Sequence, residues 1–504
     1  MKKKAIILGI AAATMLSACK KDLTSLNVNP KNPSSVPSYT LFTGAEHSLA
    51  NTMTSSNVNL NIFRLIEQQW EETTYTDESN YNLKSRAIPD NVWNAFYSNV
   101  LVNLEQAKKV IPTDVTDAAQ QKNEIAIADI LQVYTYYYLV TTYGNIPYSQ
   151  ALDITKPFPK FDDQKTVYYD LLTRLDNDIA ALKANASGAS YGAADVIYGG
   201  DPTSWQLFAN SFKLKMGITI AGYDNAKAQS EVESAVSTAN GNTGVFTSNS
   251  QNAMFTYLSA TPNTNPIWVD LVQSGRQDFV ANSTLIKLLQ PGNGIPSDPR
   301  LPYCFTVNNA GVYAGGAPGA NVSFGGNSKP SGPLLVSGSI GKITNPDFPA
   351  DLLDYPEVEF NLAEAAARGY NVGGTAASHY DAGVLASEEF WGVSPSAAAA
   401  YLAQPNVAFA TAFNPAAPTT VLTPLQKIAL QEYLALYNRG WDAWILTRRL
   451  NYPVLVAPPT AQSAFPVRFT YPVNEQEVNV TNYNQAAAAI GGDAVTTRLF
   501  WEVQ

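Results

Sequence analysis

Two stretches of the sequence combine aromatic rings with planar polar groups away from any helical stripe. The first, "QQWEETTYTDESNYNLKSR", spans 68–86, and the second, "NPIWVDLVQSGRQDFVANS", spans 265–283. A flat ring can cover the apolar face of a pyranose, while amides, carboxylates and guanidinium groups pair with hydroxyls. These stretches therefore predict a sugar-contacting surface, with ordinary loop packing as the alternative. The candidate residues are Trp70, Tyr75, Tyr81, Arg86, Trp268, Arg276 and Phe279.

The sequence offers little material for catalysis. It contains none of the short motifs of serine hydrolases, zinc proteases or nucleotide-binding loops. Its two histidines are far apart, and Cys304 lies in the apolar segment "RLPYCFTV", which predicts a buried, inert thiol. We therefore predict that the protein is not an enzyme. A glycoside hydrolase stays open as an alternative, because it needs only two carboxylates. The available carboxylates include Glu71, Glu72, Glu388 and Glu389.

No cofactor or metal site is predicted. With two distant histidines and one cysteine beyond the amino terminus, a His- or Cys-based metal site has almost no ligands to draw on. The segment "DNDIAAL" lacks the glycine and the final glutamate of an EF-hand loop. Calcium held by irregular loops stays open as an alternative without a motif to support it.

Composition narrows the class of partner. The chain has 504 residues and a net charge of −10, so it lacks the basic footprint of a nucleic-acid-binding protein. We therefore predict no nucleic-acid partner. Hydrophobic residues make up 45% and aromatic residues 11% of the chain, which is typical of a folded globular protein with a sizeable core.

The amino terminus has the pattern of an export signal. Lysines at 2–4 precede an apolar run, 5–16, that is too short to span a bilayer. The ending "LSAC" resembles a bacterial lipobox, which predicts a signal peptide over 1–18 and lipidation, as with palmitate, at Cys19. An ordinary secretory signal with a chance cysteine is the alternative. Two or more acyl chains hold a domain stably at a membrane. The stretch that follows is rich in Asn, Pro and Ser and predicts a flexible tether over 19–40.

Segments with helical periodicity must position the candidate residues. The segment "QKTVYYDLLTRLDNDIAALKA" repeats apolar residues on one face, and the long apolar segment before it ends at stop signals, Gly144 and Pro147. The pairs Asp201–Pro202 and Thr423–Pro424 predict helix starts, each an N-cap followed by proline. The second of these helices is predicted to break at Gly440.

Several conspicuous side chains are predicted to be structural. Trp93 and Trp205 lie on apolar helical stripes, which favours a place in the core. A cluster of tyrosines within 134–138 must pack between neighbouring helices, because a helix presents them all around. Arg448 and Arg449 end a helix and are predicted to form ion pairs with Glu357 or Glu364.

The central part of the chain has a different composition. Residues 241–350 are dense in Gly, Asn, Ser and Pro, which predicts loops with short strands. Long loops on a rigid scaffold often carry binding surfaces. The predicted fold is therefore mainly α, with tetratricopeptide-like helix pairs and a loop-rich insertion at about 241–350, in a single domain over 41–504.

Several blocks together resemble a known family. The segments "YTYYYLVTTYGNIPYSQAL", "VIYGGDPTSWQLFANSFKLKMGI", "DYPEVEFNLAEAAARGY" and "LQKIALQEYLALYNRGWDAWILTRRLNYP" are similar in order and spacing to the SusD/RagB nutrient-binding outer-membrane lipoproteins. The resemblance implies a helical, tetratricopeptide-like fold. It also implies a TonB-dependent, SusC-like outer-membrane transporter as partner, and oligosaccharides, or peptides in some members, as ligands.

These observations combine into one functional hypothesis. We expect a lipid-anchored protein of the outer membrane, facing the exterior, that captures oligosaccharides and delivers them to a TonB-dependent transporter. Peptide capture is the close alternative, and a surface-anchored glycoside hydrolase or an adhesive scaffold is a more distant one. The ligand itself cannot be identified from the sequence, because loop conformation does not follow from Gly and Asn content.

Overall fold

Helices dominate the part of the chain that the structure, a computed structural model, describes: residues 36–330, 343–414 and 421–502. The predicted signal peptide, Cys19 and most of the predicted tether lie outside these residues. The first helix begins at Ser38, so the folded unit starts three residues earlier than the predicted boundary at 41. Residues from Ser38 onward cluster as one compact unit.

The helical elements occur throughout this unit and confirm the mainly α fold. Their bounds are Ser38–Thr54, Phe63–Ile66, Ile88–Asn94, Val102–Asp114, Ala118–Tyr143, Gln164–Ala184, Pro202–Thr219, Asn225–Val236, Pro266–Trp268, Ser283–Leu289, Leu301–Cys304, Tyr355–Ala367, Ala376–Trp391, Pro395–Leu402, Pro424–Ala435, Gly440–Leu450, Val473–Val478 and Val480–Ala489. Segments Ala95–Leu101 and Val269–Gln273 are π-helical. In the described residues, no helix combines the length and the apolar character needed to cross a bilayer.

Consecutive helices pack side by side, as in tetratricopeptide-like folds. The helix Ala118–Tyr143 packs on Gln164–Ala184, and Tyr355–Ala367 packs on Ala376–Trp391. The first of these helices is buried along most of its length, and Tyr134, Tyr136, Tyr137 and Tyr138 all lie in the core, as predicted. Trp93, Trp205 and the Cys304 thiol are buried as well.

Most predicted helix ends are confirmed. Gly144 caps the long helix with φ = 87°, a conformation that favours glycine. The Asp201 carboxylate accepts hydrogen bonds from the Thr203 and Ser204 amides, and Thr423 forms a capping box with Gln426.

The prediction for Gly440 is wrong. The helix from Pro424 ends at Ala435, and Gly440 begins the next helix. An added Cβ at Gly440 would lie 2.4 Å from the Arg64 backbone nitrogen. The glycine therefore permits a close helix crossing; it does not break a helix.

The strands are short and form three antiparallel pairs in the described residues. They are β1 (Trp70–Glu72) with β5 (Phe279–Ala281), β2 (Ile146–Pro147) with β3 (Phe161–Asp162), and β4 (Ala253–Phe255) with β6 (Ala350–Leu353). The region 241–350 holds β4, β5 and short helices among loops, as predicted. The strands of this region do not form a separate sheet, since β5 pairs with the amino-terminal strand β1.

A network of buried charges joins four elements of the core. Lys215 Nζ lies 2.7 Å from Glu357 Oε1 and also contacts Asp442. Arg439 Nη2 lies 2.6 Å from Glu357 Oε2 and 3.0 Å from Asp442 Oδ2. The Tyr138 hydroxyl donates to Asp442 Oδ1 at 2.5 Å. Burial pushes the pKa of Asp442 upward, but Arg439 and Lys215 outweigh burial, and that pKa is lowered.

The two arginines at the end of the helix Gly440–Leu450 are paired, as predicted. Arg449 contacts Glu364, one of the two expected partners. Arg448 instead pairs with Glu502, at 2.5 Å, near the carboxyl end of the chain. Its guanidinium lies 3.8 Å from the Trp444 ring centroid and 4.5 Å from that of Trp501. This stacking makes Arg448 a structural residue of the core.

The close crossing at Gly440 gives a first prediction. We expect Gly440→Ala to lower the free energy of unfolding by about 2 kcal/mol or more, because the methyl group meets the rigid backbone of Phe63 and Arg64. Urea unfolding followed by circular dichroism measures the change. The matched control is Gly44→Ala, in the helix Ser38–Thr54, where nothing lies within 4 Å of the added Cβ. That variant should be neutral or up to about 1 kcal/mol more stable. Equal stabilities would contradict the assignment of a close crossing.

Candidate functional site

The pairing of β1 with β5 brings together the two stretches predicted to contact a sugar. Trp70 lies opposite Ala281, and Glu72 lies opposite Phe279. The pairing continues beyond β1, since the Thr73 amide donates to the Asp278 carbonyl at 2.9 Å and the Thr73 hydroxyl donates to the Gln277 carbonyl at 2.6 Å. Residues more than two hundred positions apart in the sequence therefore lie side by side in one buried pair of strands.

Close to this strand pair, where the chain continues from β1, lies a groove of about 690 Å³ with three walls. We call it the three-walled groove. The walls come from residues 75–80, 317–321 and 459–462. Its lining consists of Tyr75, Thr76, Asp77, Asn80, Ala317, Pro318, Gly319, Ala320, Asn321, Pro459, Thr460 and Gln462. Amide, hydroxyl and carboxylate groups can pair with the hydroxyls of a ligand, and the one exposed ring beside them can cover an apolar face of the ligand.

Asn80 ties the three walls together. Its Nδ2 donates to the Thr76 carbonyl at 2.7 Å and to the Gly319 carbonyl at 2.8 Å. Its Oδ1 accepts a hydrogen bond from the Thr460 hydroxyl at 2.6 Å, and its backbone carbonyl accepts one from the Gln462 amide at 2.7 Å. One buried side chain thus uses both ends of its amide to hold all three segments in place.

Gly319 lets the second wall approach the other two. Its φ of +72° lies in the left-handed region. An added Cβ there would lie 2.4 Å from Asn80 Oδ1 and 2.6 Å from Pro458 Cβ. The same wall is also attached to β5, because the Gly316 amide donates to the Ala281 carbonyl at 2.8 Å. A larger residue at 319 would therefore separate the walls.

A buried carboxyl group supports the second wall from behind. Glu71 Oε2 accepts hydrogen bonds from Asn282 Nδ2 at 2.8 Å and from the Gly319 amide at 3.1 Å. Burial raises the pKa of Glu71 to about 7. Burial also raises the pKa of the neighbouring Glu72 to about 9, with Glu78 adding to the shift. Near neutral pH, Glu72 is therefore protonated, and Glu71 is divided between both forms.

Three of the predicted contact residues lie in the interior. Trp70 is 1% exposed and directs its indole N–H to the Tyr437 hydroxyl at 3.3 Å. Phe279 packs on Trp70, and Tyr81 packs on Phe465. All three rings are packed in the interior and are not among the residues that line the groove.

The other predicted residues lie at or near the surface. Tyr75 is 70% exposed at the groove and has φ = 56°, an uncommon conformation for a tyrosine. Arg276, in the segment beside Thr73, is paired with Asp278. Arg86 is bound to Glu78 at 2.6 Å. Trp268 is half-buried at the end of a short helix and is not among the residues that line the groove.

Sequence reasoning missed two of the three walls. Residues 317–321 lie in the loop-rich region but were not singled out, and residues 459–462 follow the last long helix. Both carry turn signals, "APGAN" and "APPTAQ". Such signals predict loops, but they do not show that two distant loops meet at Asn80.

Among the described residues, no group of three or more His, Cys, Asp or Glu side chains is arranged to hold a metal ion. The carboxyl groups near the groove instead accept hydrogen bonds from amide and guanidinium donors.

Comparison with known proteins gives matches over nearly the whole chain. A SusD-like family model, described as "Starch-binding associating with outer membrane", matches residues 30–472. A chitin-binding SusD homolog from Flavobacterium johnsoniae is 23% identical, covers 92% of this chain and 99% of its own, and has a TM-score of 0.75. No curated protein sequence matches the chain.

Other solved structures have the same fold. A SusD-like protein from Bacteroides thetaiotaomicron is 24% identical, covers 93% of this chain and 99% of its own, and has a TM-score of 0.75. A SusD homolog from Bacteroides uniformis is 25% identical, covers 92% of this chain and 99% of its own, and has a TM-score of 0.72. The likeness confirms a helical, tetratricopeptide-like fold.

The role of Asn80 gives a second prediction. We expect Asn80→Ala to increase hydrogen–deuterium exchange in 315–322 and 458–463, because the two side-chain hydrogen bonds from Asn80 to the other walls are lost. Each lost bond costs about 1 kcal/mol. The control is Asn59→Ala, whose exposed side chain bonds only to Asn57 among the described residues. If exchange in the two walls is the same in both variants, Asn80 does not hold the groove.

Glu71 gives a prediction about pH. Its folded-state pKa lies above the ordinary value of 4.5, so the folded state holds the proton more tightly, and stability falls as pH rises from about 5 to about 7. Glu71→Gln removes this loss, which amounts to at most about 1.4 kcal/mol per pH unit. Urea unfolding at several pH values should show a shallower decline in the variant than in the wild type. Parallel curves would contradict a raised pKa at Glu71.

Proposed function

The chain belongs to the SusD-like family, and from this we propose that it captures oligosaccharides in the three-walled groove for uptake across the outer membrane. SusD-like proteins bind nutrients and glycans and are associated with the outer membrane. The observation that carries the proposal for this chain is the exposed Tyr75 ring beside polar walls held by Asn80. Such a surface offers both the stacking and the hydrogen bonding that sugar rings need.

Delivery requires a location and a partner. We propose that the chain is lipidated at Cys19, lies at the cell surface, and hands its ligand to a TonB-dependent, SusC-like transporter. The lipobox-like ending "LSAC" supports the anchor, and the outer-membrane association of the family supports the location. Several acyl chains on one cysteine would suffice for stable attachment.

Capture without hydrolysis fits the charges of the groove. A glycoside hydrolase needs two carboxyl groups that flank the bond to be cut. Among the described residues that line the groove, Asp77 is the one with a carboxylate. Glu71 and Glu72 are buried behind the wall, and Glu388 is buried beside Arg300. This arrangement supports a binding protein over an enzyme.

The function is tested by titrating the purified protein with chitin, starch and peptide oligomers. The chitin and starch probes follow from the chitin-binding structural relative and from the description of the family. We expect at least one glycan to bind and to be recovered uncut. Binding of peptides alone would select the peptide alternative, turnover of a glycan would select the hydrolase, and no binding would contradict the proposal.

Tyr75 gives the matching site prediction. Tyr75→Ala should weaken glycan binding roughly fivefold or more, because a stacked aromatic ring contributes about 1 kcal/mol. Calorimetric titration measures the change. The control is Tyr39→Ala, which removes another exposed tyrosine on the helix Ser38–Thr54, outside the groove. Equal affinity in the two variants would move the binding surface away from the three-walled groove.

A further inference from the structure

We propose that the three-walled groove selects its glycans by charge, accepting neutral and amine-bearing sugars and rejecting those rich in uronate. The proposal rests on the function proposed above and narrows its ligand class. It follows from the sign of the charges placed on and behind the walls.

The groove surface carries negative charge without a balancing cation. Asp77 is the charged residue among the described residues that line it, and no lysine or arginine is among them. Asp77 Oδ1 accepts one hydrogen bond, from Gln462 Nε2 at 3.2 Å. Its carboxylate is partly exposed and remains free to meet a ligand group.

Arg86 and Arg276, which belong to the two stretches joined by β1 and β5, are each paired with a carboxylate. Arg276 is 61% exposed on its side chain, but its Nε is bound to the Asp278 carboxylate. This pair lies beside the groove, because the Thr73 amide and hydroxyl bind the carbonyls of residues 278 and 277. The Arg86 guanidinium is committed to the buried Glu78 at 2.6 Å. Each arginine–carboxylate pair has a net charge near zero, so neither arginine is an unpaired cation that could bind a carboxylate ligand.

A carboxyl group behind the second wall adds to the negative electrostatic potential of the groove. Glu71 is bonded to the Gly319 amide, within the second wall, and is partly ionised near neutral pH. The whole chain carries a net charge of −10. A concave surface lined by one sign of charge concentrates that potential inside the groove. A uronate bound there would lose part of its hydration shell and would be repelled by the negative charge of the groove. A protonated amine could instead form an ion pair with Asp77.

The experiment compares three oligomers of equal length on the full mature chain: N-acetylglucosamine, its deacetylated amine form, and galacturonate. The acetylated and galacturonate oligomers are titrated at neutral pH, where Glu71 is partly ionised, and the amine oligomer is titrated at mildly acidic pH, where its amines are protonated. At low salt we expect galacturonate to bind at least roughly tenfold more weakly than the acetylated oligomer. The difference should shrink at high salt, because salt screens exposed charges.

Two isosteric variants should each change the binding of one charged oligomer. Asp77→Asn should weaken binding of the amine oligomer roughly threefold and leave the acetylated oligomer unchanged, since a partly exposed ion pair is worth up to about 1 kcal/mol. Asp278→Asn frees Arg276 and should strengthen galacturonate binding by a similar factor. Glu477→Gln, an exposed residue of the helix Val473–Val478, removes the same charge outside the groove and should change neither.

The outcomes separate the two proposals. Galacturonate binding as tight as that of the acetylated oligomer, or Asp77 and Asp278 variants that behave like Glu477→Gln, would overturn charge selection and leave glycan capture intact. A protein that binds none of the three oligomers, nor starch or chitin, would overturn glycan capture itself.

Discussion

The buried charges at Lys215, Glu357, Arg439 and Asp442 are the interaction on which the helical scaffold depends. Removing charges from water costs several kcal/mol per ion, so these groups are tolerated only because each has an opposite charge within hydrogen-bonding distance. The network fixes one relative position for the helices that carry it. Apolar contacts alone would permit small slips between the helices, whereas a buried charge that loses its partner is heavily penalised.

The position of the groove follows from that junction. Asp442 lies in the helix Gly440–Leu450, whose first residue packs directly on the backbone of Phe63 and Arg64. The chain then leads from Arg64 into β1 and the first wall, and from the end of the helix into the third wall. The two chain segments stay close as they leave the core, because the Thr447 hydroxyl donates to Glu67 at 2.9 Å and Gln68 Nε2 donates to the Val456 carbonyl at 2.6 Å. Asn80 then connects the walls that follow.

Local patterns predicted the scaffold well because the forces behind them are local. Asp201 and Thr423 cap helices through amides a few residues away, and Gly144 ends one through its own backbone conformation. Gly440 was misinterpreted because its role depends on a contact with Arg64, which no window around residue 440 contains. The same limit explains why the walls at 317–321 and 459–462 were not found.

The candidate site, too, could be predicted from the sequence only where local residue types decide the outcome. Residue types in 68–86 and 265–283 indicated a sugar-contacting surface, and the structure places the two stretches side by side. Which rings face solvent was not predictable, because that depends on tertiary packing. Trp70 lies against Tyr437 and Phe279, while Tyr75, five residues later, leaves the strand and turns outward with a positive φ. Ring type does not decide it, because Tyr81 of the same stretch is buried against Phe465 whereas Trp268 of the second stretch is only half-buried.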